Sequence, residues 1–489
     1  MKKLRTLSLI LATLTAASAV SCGDSQTVTP SGDTTASPSG DTTPAETEPA
    51  YAYPSLNMNG EKFTILNSTT TWGFYTSIHF DEATGEVLDD AIYDRNRFVE
   101  EKFNVDIDVV EENLDQAYKS LNSLIMAGDD VYQAAFLNSN SIASMITGGC
   151  FADLSQISTL QLDEPWWDQN VLRDAAIGQS GTIFVAATDV SLMGFDGTYC
   201  TFINEDMMAD LNAQMPYELA REGSWTLDEL HKLTKLGANL NGASDYTWDA
   251  AGSATYGLMS NATCPMVLLF GTGARLVANG EDGLPVYACE NEHFYNAAEK
   301  IADLLSAEGE WLLLNSSGAN HYEAAFKAGR CLVTIAELKA SSKFREMDDN
   351  FGIVPIPKLD ESQSEYYNYR TAVSSSFCIP VTSGDRESTG IIMDALSDLT
   401  YTDVMPIYYG VTVSQKGLRN DESIEMLGII RDSRIFDIPN CYGWTEGIYG
   451  NIQSQLGGGD GAVASTVASG KQAVLQRIQS TLDLLEENS

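Results

Sequence analysis

Between residues 62 and 137 two apolar spacings take turns, and this alternation narrows the available folds more than any other feature. Lys62-Phe-Thr-Ile-Leu66 reads as a strand. Leu88, Ile92, Val99 and Phe103 then recur at spacings near 3.6, the signature of one buried helix face. Val105, Ile107 and Val109 alternate with Asp106 and Asp108, as in a half-exposed strand. Leu114, Tyr118, Leu121 and Ile125 mark a second helix that stops at Gly128, and Val131 to Leu137 supply a third strand. A βαβαβ order implies a mostly parallel sheet with right-handed crossovers. Ligands of such open sheets lie beyond the carboxyl ends of the strands, which here are residues 67–75 and 138–141.

A second α/β region follows Cys200. Thr226 and Glu229 have capping-box spacing at the head of a helix through Leu230, Leu233 and Leu236. Phe294, Ala298, Ile301 and Leu305 stripe another helix, and Val467, Val474, Ile478, Leu482 and Leu485 a last one. With 489 residues the chain has material for two or three cores.

The N-terminus reads as an address. Lys2, Lys3 and Arg5 precede an apolar run from Leu7 to Val20, the layout of a bacterial export signal and too short to span a bilayer. Ala17-Ser18-Ala19 offers a cleavage site for simple secretion. Ala19-Val20-Ser21-Cys22 resembles a lipobox, with Ala19 where Leu is usual, and predicts lipidation of Cys22 after removal of residues 1–21. Residues 22–50 are Ser, Thr, Pro, Gly and acid, with Pro-Ser-Gly-Asp-Thr-Thr at 30–35 and 38–43. That composition cannot bury a core and predicts a disordered tether with a reach on the order of 30 Å. The expected location is the outer face of the cytoplasmic membrane, with the lipid as the one membrane contact.

Charge excludes whole classes of partner. Lys and Arg number 28 against 68 Asp and Glu, a net −40. Removing the signal's three cations and the tether's five acids leaves the body at 25 − 63 = −38. Such a surface repels polyanions and anionic membranes, so nucleic acid is not expected. Cationic solutes would be drawn in.

Catalytic patterns are weak. Gly470-Lys471 lacks the upstream glycine of a P-loop, and Gly271-Thr-Gly273 does not continue as a dinucleotide fingerprint. The four His have no H-E-x-x-H or nucleophile-elbow partner, and no Cys pair has zinc-ligand spacing. No metal, cofactor or catalysis is expected. Cysteines 150, 200, 264, 289, 331, 378 and 441 read as buried free thiols. Trp166-Trp167 reads as structural, and Gly457 to Gly461 as a flexible loop.

Several stretches, in order, resemble the family-1 extracellular solute-binding proteins of ABC sugar importers. They are Tyr199 to Asn204 with Met207 to Leu211, Ser224-Trp-Thr-Leu-Asp-Glu-Leu230, Phe326-Lys-Ala-Gly-Arg330 entering an apolar run, Phe351-Gly-Ile-Val-Pro-Ile-Pro-Lys358, Thr371 to Pro380, and Ala468-Ser-Gly-Lys471. The resemblance implies an α/β, two-lobed periplasmic-binding-protein-like fold with an interlobe ligand cleft and crossing hinge strands. Lobe one would be 51–197 with 379–415, and lobe two 203–370 with 420–489. It implies a monomer that captures a small-molecule solute, a carbohydrate above all, and hands it to ABC permease subunits.

Carried onto this chain, the resemblance makes Trp72 and Trp444 stacking platforms. Asn138, Ser139, Asp189 and Asn261 become polar ligand contacts. Where maltose-binding relatives carry Gly-Pro-Trp, this chain has Ala336-Glu-Leu-Lys339, so one stacking Trp is missing. Three alternatives stay open: a peptide or cationic-solute receptor of the same architecture, a surface glycan-binding protein uncoupled from transport, and a secreted hydrolase.

Overall fold

A run of six buried residues, Phe63 to Ser68, makes the first strand a central one. In the computed structural model, which describes residues 52–178, 180–307, 311–313, 321–415, 421–445 and 447–487, the alternation seen in the sequence is realised in full. β1 (Glu61–Thr69), α1 (Val87–Phe103), β2 (Val105–Asn113), α2 (Leu114–Ala127) and β3 (Ala134–Asn138) follow one another. β1 runs parallel to β2 on one side and to β3 on the other. The Asn113 side chain accepts the Gln116 amide at the start of α2. Gly128, at φ 79°, closes its end by donating to the carbonyls of Leu124 and Ile125.

After α3 (Met193–Asp196) come β4 (Tyr199–Asn204), α4 (Leu227–Gly237), β5 (Tyr256–Ser260), α5 (Glu292–Ser306), β6 (Trp311–Leu313), β7 (Cys331–Glu337) and β8 (Phe351–Val354). β9 (Asn368–Tyr369), β10 (Ser375–Cys378), α6 (Arg386–Leu399), α7 (Met405–Gln415), α8 (Asp421–Asp432), β11 (Arg434–Ile435), α9 (Ile448–Gly457) and α10 (Ala464–Glu487) complete the labelled elements.

Two main sheets organise the two lobes. The first has the order β10-β3-β1-β2, with β10 antiparallel to β3. The second has the order β8-β4-β7-β5-β6, with β5 parallel to β6 and β7, and β4 antiparallel to β7 and β8. α6 and α7 return to pack on α1, whereas α8 packs on β8 and α9 on α5. Phe202, Phe326, Phe344 and Phe351 form the aromatic heart of the second lobe, with the Phe326 and Phe344 centroids 4.6 Å apart. Val467, Val474 and Ile478 of α10 are buried, on the face that the spacing predicts.

Three local expectations resolve differently or gain a cause. Helix α4 begins after Thr226, but the threonine makes no side-chain cap; it is held instead in a β-bridge with Lys358, whose carbonyl accepts the Leu227 amide at 2.8 Å. Glu229 pairs with Lys232 at 2.5 Å rather than reaching back to the cap. In the glycine run 457–461, Gly457 ends α9, Gly458 and Gly459 form a turn, and the rest is a loop. A Cβ on Gly459 would stand 2.8 Å from Ser306 Cβ, so the turn lies directly against the end of α5. Trp166 and Trp167 are structural: both indole N–H groups donate to one Asp394 oxygen, at 2.8 and 3.0 Å. Cysteines 150, 200, 264, 289, 331, 378 and 441 are all free and buried. The signal, Cys22 and the tether lie outside the described residues, among which no helix is long and apolar enough to cross a membrane.

Candidate functional site

The lobes meet where the chain crosses between the two sheets. The outward crossing, Gly197-Thr198, and the return crossing, Arg370-Thr371, are bridged to each other: Thr198 pairs with Arg370, and the Thr371 amide donates to the Gly197 carbonyl at 2.9 Å. Position 197 has to be glycine, because a Cβ there would stand 2.6 Å from Thr371 Cγ2 and 3.3 Å from Phe74. A third segment joins them, since β11 pairs in parallel with β9 and the Ile435 carbonyl accepts the Arg370 amide.

Beneath this floor sits an ionic cluster. Asp189 accepts from Arg434 at 2.6 Å and from Arg431 at 3.1 Å, and Arg434 also lies 3.3 Å from Asp168. Burial pushes the Asp189 carboxyl up, but Arg434 and Arg431 more than reverse it, bringing it down to about 2. Both of its oxygens are therefore spent on the hinge.

Above the floor, the loop after β1 meets the end of β7. The Lys339 ammonium lies 3.4 Å from the centroid of Phe74 and 3.1 Å from Glu337. Burial lowers the lysine pKa and raises the glutamate pKa, and the attraction between the two offsets only part of each shift. Next to Phe74, the Tyr75 amide donates to Asp196 at 2.7 Å, and Tyr408 donates to the other oxygen of that carboxylate. On the second lobe, Asn261 donates to the Tyr199 hydroxyl at 3.2 Å, and the Tyr199 ring stacks on Tyr369. Lys343 donates to Glu323 at 2.6 Å. The seam thus combines ring faces with carboxylate, ammonium, amide and phenol groups, the repertoire that packs on a sugar's C–H face and pairs with its hydroxyls.

The residues singled out in the sequence scatter around this junction. Trp72 lies in the loop after β1, 56% exposed and two residues before Phe74. Asn261 belongs to the seam through Tyr199. Asn138 and Ser139 end β3 as expected, but Asn138 accepts the Asn140 amide, and the Ser139 hydroxyl is engaged by the Ser374 carbonyl and the Ser376 hydroxyl. Asp189 is an ion-pair partner, neither a free sugar acceptor nor a solvated surface acid. Trp444 is 2% exposed; Tyr442 stacks on it at 4.7 Å and its N–H donates to Thr481 at 2.9 Å. Sequence reasoning passed over Phe74 and Asp196. It noted Glu337 and Lys339 only as a missing tryptophan, although two charges directly after the apolar run Cys331 to Ala336 are themselves a signal.

No protein-family model and no curated protein matches the chain. Solved structures do. The maltose-binding periplasmic protein MalE of Listeria monocytogenes, in complex with maltose, superposes with a TM-score of 0.55 at 12% identity, over 86% of this chain and 98% of that one. A sugar transporter of Rhizobium etli in an open conformation gives 0.56 at 13%, over 86% and 99%. Apo RafE of Streptococcus pneumoniae gives 0.53 at 14%, over 88% and 100%. At these identities the likeness is one of architecture, and it is nearly end to end: the body has the α/β, two-lobed, periplasmic-binding-protein-like fold of these sugar-binding proteins.

Proposed function

We propose that the chain is an extracellular solute-binding protein that encloses a carbohydrate between its lobes and delivers it to the permease of an ABC importer, without catalysis. In this reading the chain is a monomer held at the outer face of the cytoplasmic membrane by lipid on Cys22, with residues 22–50 as its tether. The observation that carries the reading is the junction itself. Two α/β lobes are joined at a floor of bridged crossing segments with the ionic cluster beside it, and Lys339 of the second lobe meets the ring of Phe74 of the first. Such a joint lets hinge bending open and close a cleft, so that a permease meets a different surface on the loaded form. Asn261, the Phe74 face and exposed Trp72 are the proposed first contacts, with Asn138 and Ser139 at the strand end beside them.

Thermal shift against mono- and oligosaccharides tests the proposal, because a ligand at 100 times its Kd adds about 2.7 kcal/mol. A stabilised transition with a sugar supports it. No shift with any sugar, together with one from a peptide or polyamine, would keep the fold and reject the carbohydrate. Trp72→Ala should leave stability within about 0.5 kcal/mol, as expected of an exposed side chain, while reducing the sugar-induced shift. An unchanged shift removes Trp72 from the site.

A further inference from the structure

The ionic cluster at the hinge does not balance. Arg431 and Arg434 are matched by Asp189 and Asp168, but a third guanidinium, Arg370, lies in the same group and is only 2% exposed. The charged residues acting on it are Arg434, which repels it, and Asp168 and Asp189, which attract it; Asp189 is spent on the other two arginines, and Asp168 Oδ2 lies 3.3 Å from Arg434. Three buried guanidiniums therefore face two buried carboxylates, with exposed Asp432 acting on Arg431 from the surface. Arg370 Nη2 donates to the Ser375 carbonyl, while its Nε and Nη1 have no acceptor among the described residues. Burial first, and the neighbouring Arg434 second, pull its pKa down to about 10. An unpaired buried charge is among the costliest features a fold can retain.

The position of this charge is set by its surroundings. Arg370 is the residue of the return crossing that bridges to Thr198, so it lies in the floor between the lobes. Gly194 leaves room for it: a Cβ there would come within 3.0 Å of Nε. The ring of Phe436 lies 5.3 Å from the guanidinium carbon and offers it a face. The fold thus builds a berth for a cation and leaves two of its donors unanswered.

We propose that Arg370 receives an anionic group of the ligand, so that the captured solute is a carbohydrate bearing a carboxylate, a uronic-acid-type sugar. This rests on the receptor reading above and names its substrate class. The anion reaches Arg370 as the lobes part, and on closure it gives the three buried guanidiniums a third buried carboxylate. The acidic exterior does not forbid this, because its field is screened beyond about 8 Å at physiological salt, whereas a buried pair is screened far less.

Calorimetry on the mature protein tests the proposal with trigalacturonate, its neutral methyl ester, and inorganic sulfate and phosphate. Trigalacturonate should bind roughly 100-fold more tightly than the ester, the scale of a charge-assisted bond. Arg370→Met should erase that ratio by weakening the acid alone, and Arg370→Lys should restore part of it. If Arg370→Met does not fold, the Arg370→Lys ratio decides: a value unchanged from wild type overturns the role of Arg370. Equal affinities for acid and ester overturn the proposal while leaving the receptor intact. Sulfate or phosphate binding as tightly as trigalacturonate would make the cluster an inorganic-anion site and overturn the substrate class. If neither acidic nor neutral sugars bind, the receptor reading itself falls, and this inference with it.

Discussion

Two ionic groups lie at the lobe junction, and they distribute their charges in opposite ways. In the hinge cluster the carboxylate and its guanidiniums come from different passages of the chain: Asp189 precedes the outward crossing, Arg431 lies in the last turn of α8, and Arg434 opens β11. Pulling these passages apart would strand buried charges on both sides. At the seam, Glu337 and Lys339 both belong to the second lobe, and the first lobe contributes the face of Phe74 and the field of the nearby Asp196 carboxylate. Opening there breaks a ring contact and hands water an intact ion pair, which water solvates well. Where the charges sit thus tells which part of the junction holds and which part yields.

The contrast can be broken most directly at Asp189. Replacing it with Asn should destabilise the protein by about 3–5 kcal/mol, because two buried guanidiniums lose their partner. Denaturant unfolding measures this, and a loss below 1 kcal/mol would show that the cluster does not hold the hinge. Acid provides a milder version of the same test. The Asp189 carboxyl titrates at about 2 in the folded chain against 3.8 for the unreacted group, so the folded state binds its proton later than the unfolded one. Its contribution is complete above pH 4 and disappears as pH falls through 2, a loss of about 2 kcal/mol from this group. Asp189→Asn should remove that part of the acid slope; an unchanged slope assigns it elsewhere. The smallest effect belongs to the seam. Phe74→Leu, which leaves the Glu337–Lys339 pair in place, should change stability by about 1 kcal/mol but shift the balance of open and closed forms, read by small-angle scattering without ligand. A stability loss as large as that of Asp189→Asn would erase the distinction between the two groups.

Much of the scaffold was legible before any coordinates, because hydrophobic period is a local property. The spacing of Leu88, Ile92, Val99 and Phe103, and the alternation after Val105, carried the parallel sheet with them. The site was far less legible. Asp189 and Arg434 are 245 residues apart, and nothing near either one names the other. Trp72 and Trp444 look equally suited to stack on a ligand, yet one is exposed and the other is sandwiched in the core by Tyr442, a partner that its neighbourhood offered but its type did not reveal. Between Trp72 and Phe74, Gly73 at φ 83° turns the backbone, so that the smaller ring faces the seam and the larger one the solvent. Residue type announced an aromatic platform; backbone handedness chose which ring.

The buried thiols carry a consequence of their own. Seven cysteines, spread through both lobes and the outward crossing, are free and sealed from solvent. Burial pushes the thiols of Cys264 and Cys331 up to about 12 and that of Cys289 to about 11, so none of these is a ready nucleophile in the folded chain. Each is silent until its own neighbourhood opens. The protein therefore contains a set of built-in clocks. The rate at which an alkylating reagent marks Cys150, Cys200 or Cys331 reports how often lobe one, the crossing or lobe two breathes, and a ligand that locks the cleft should slow some of these clocks and not others.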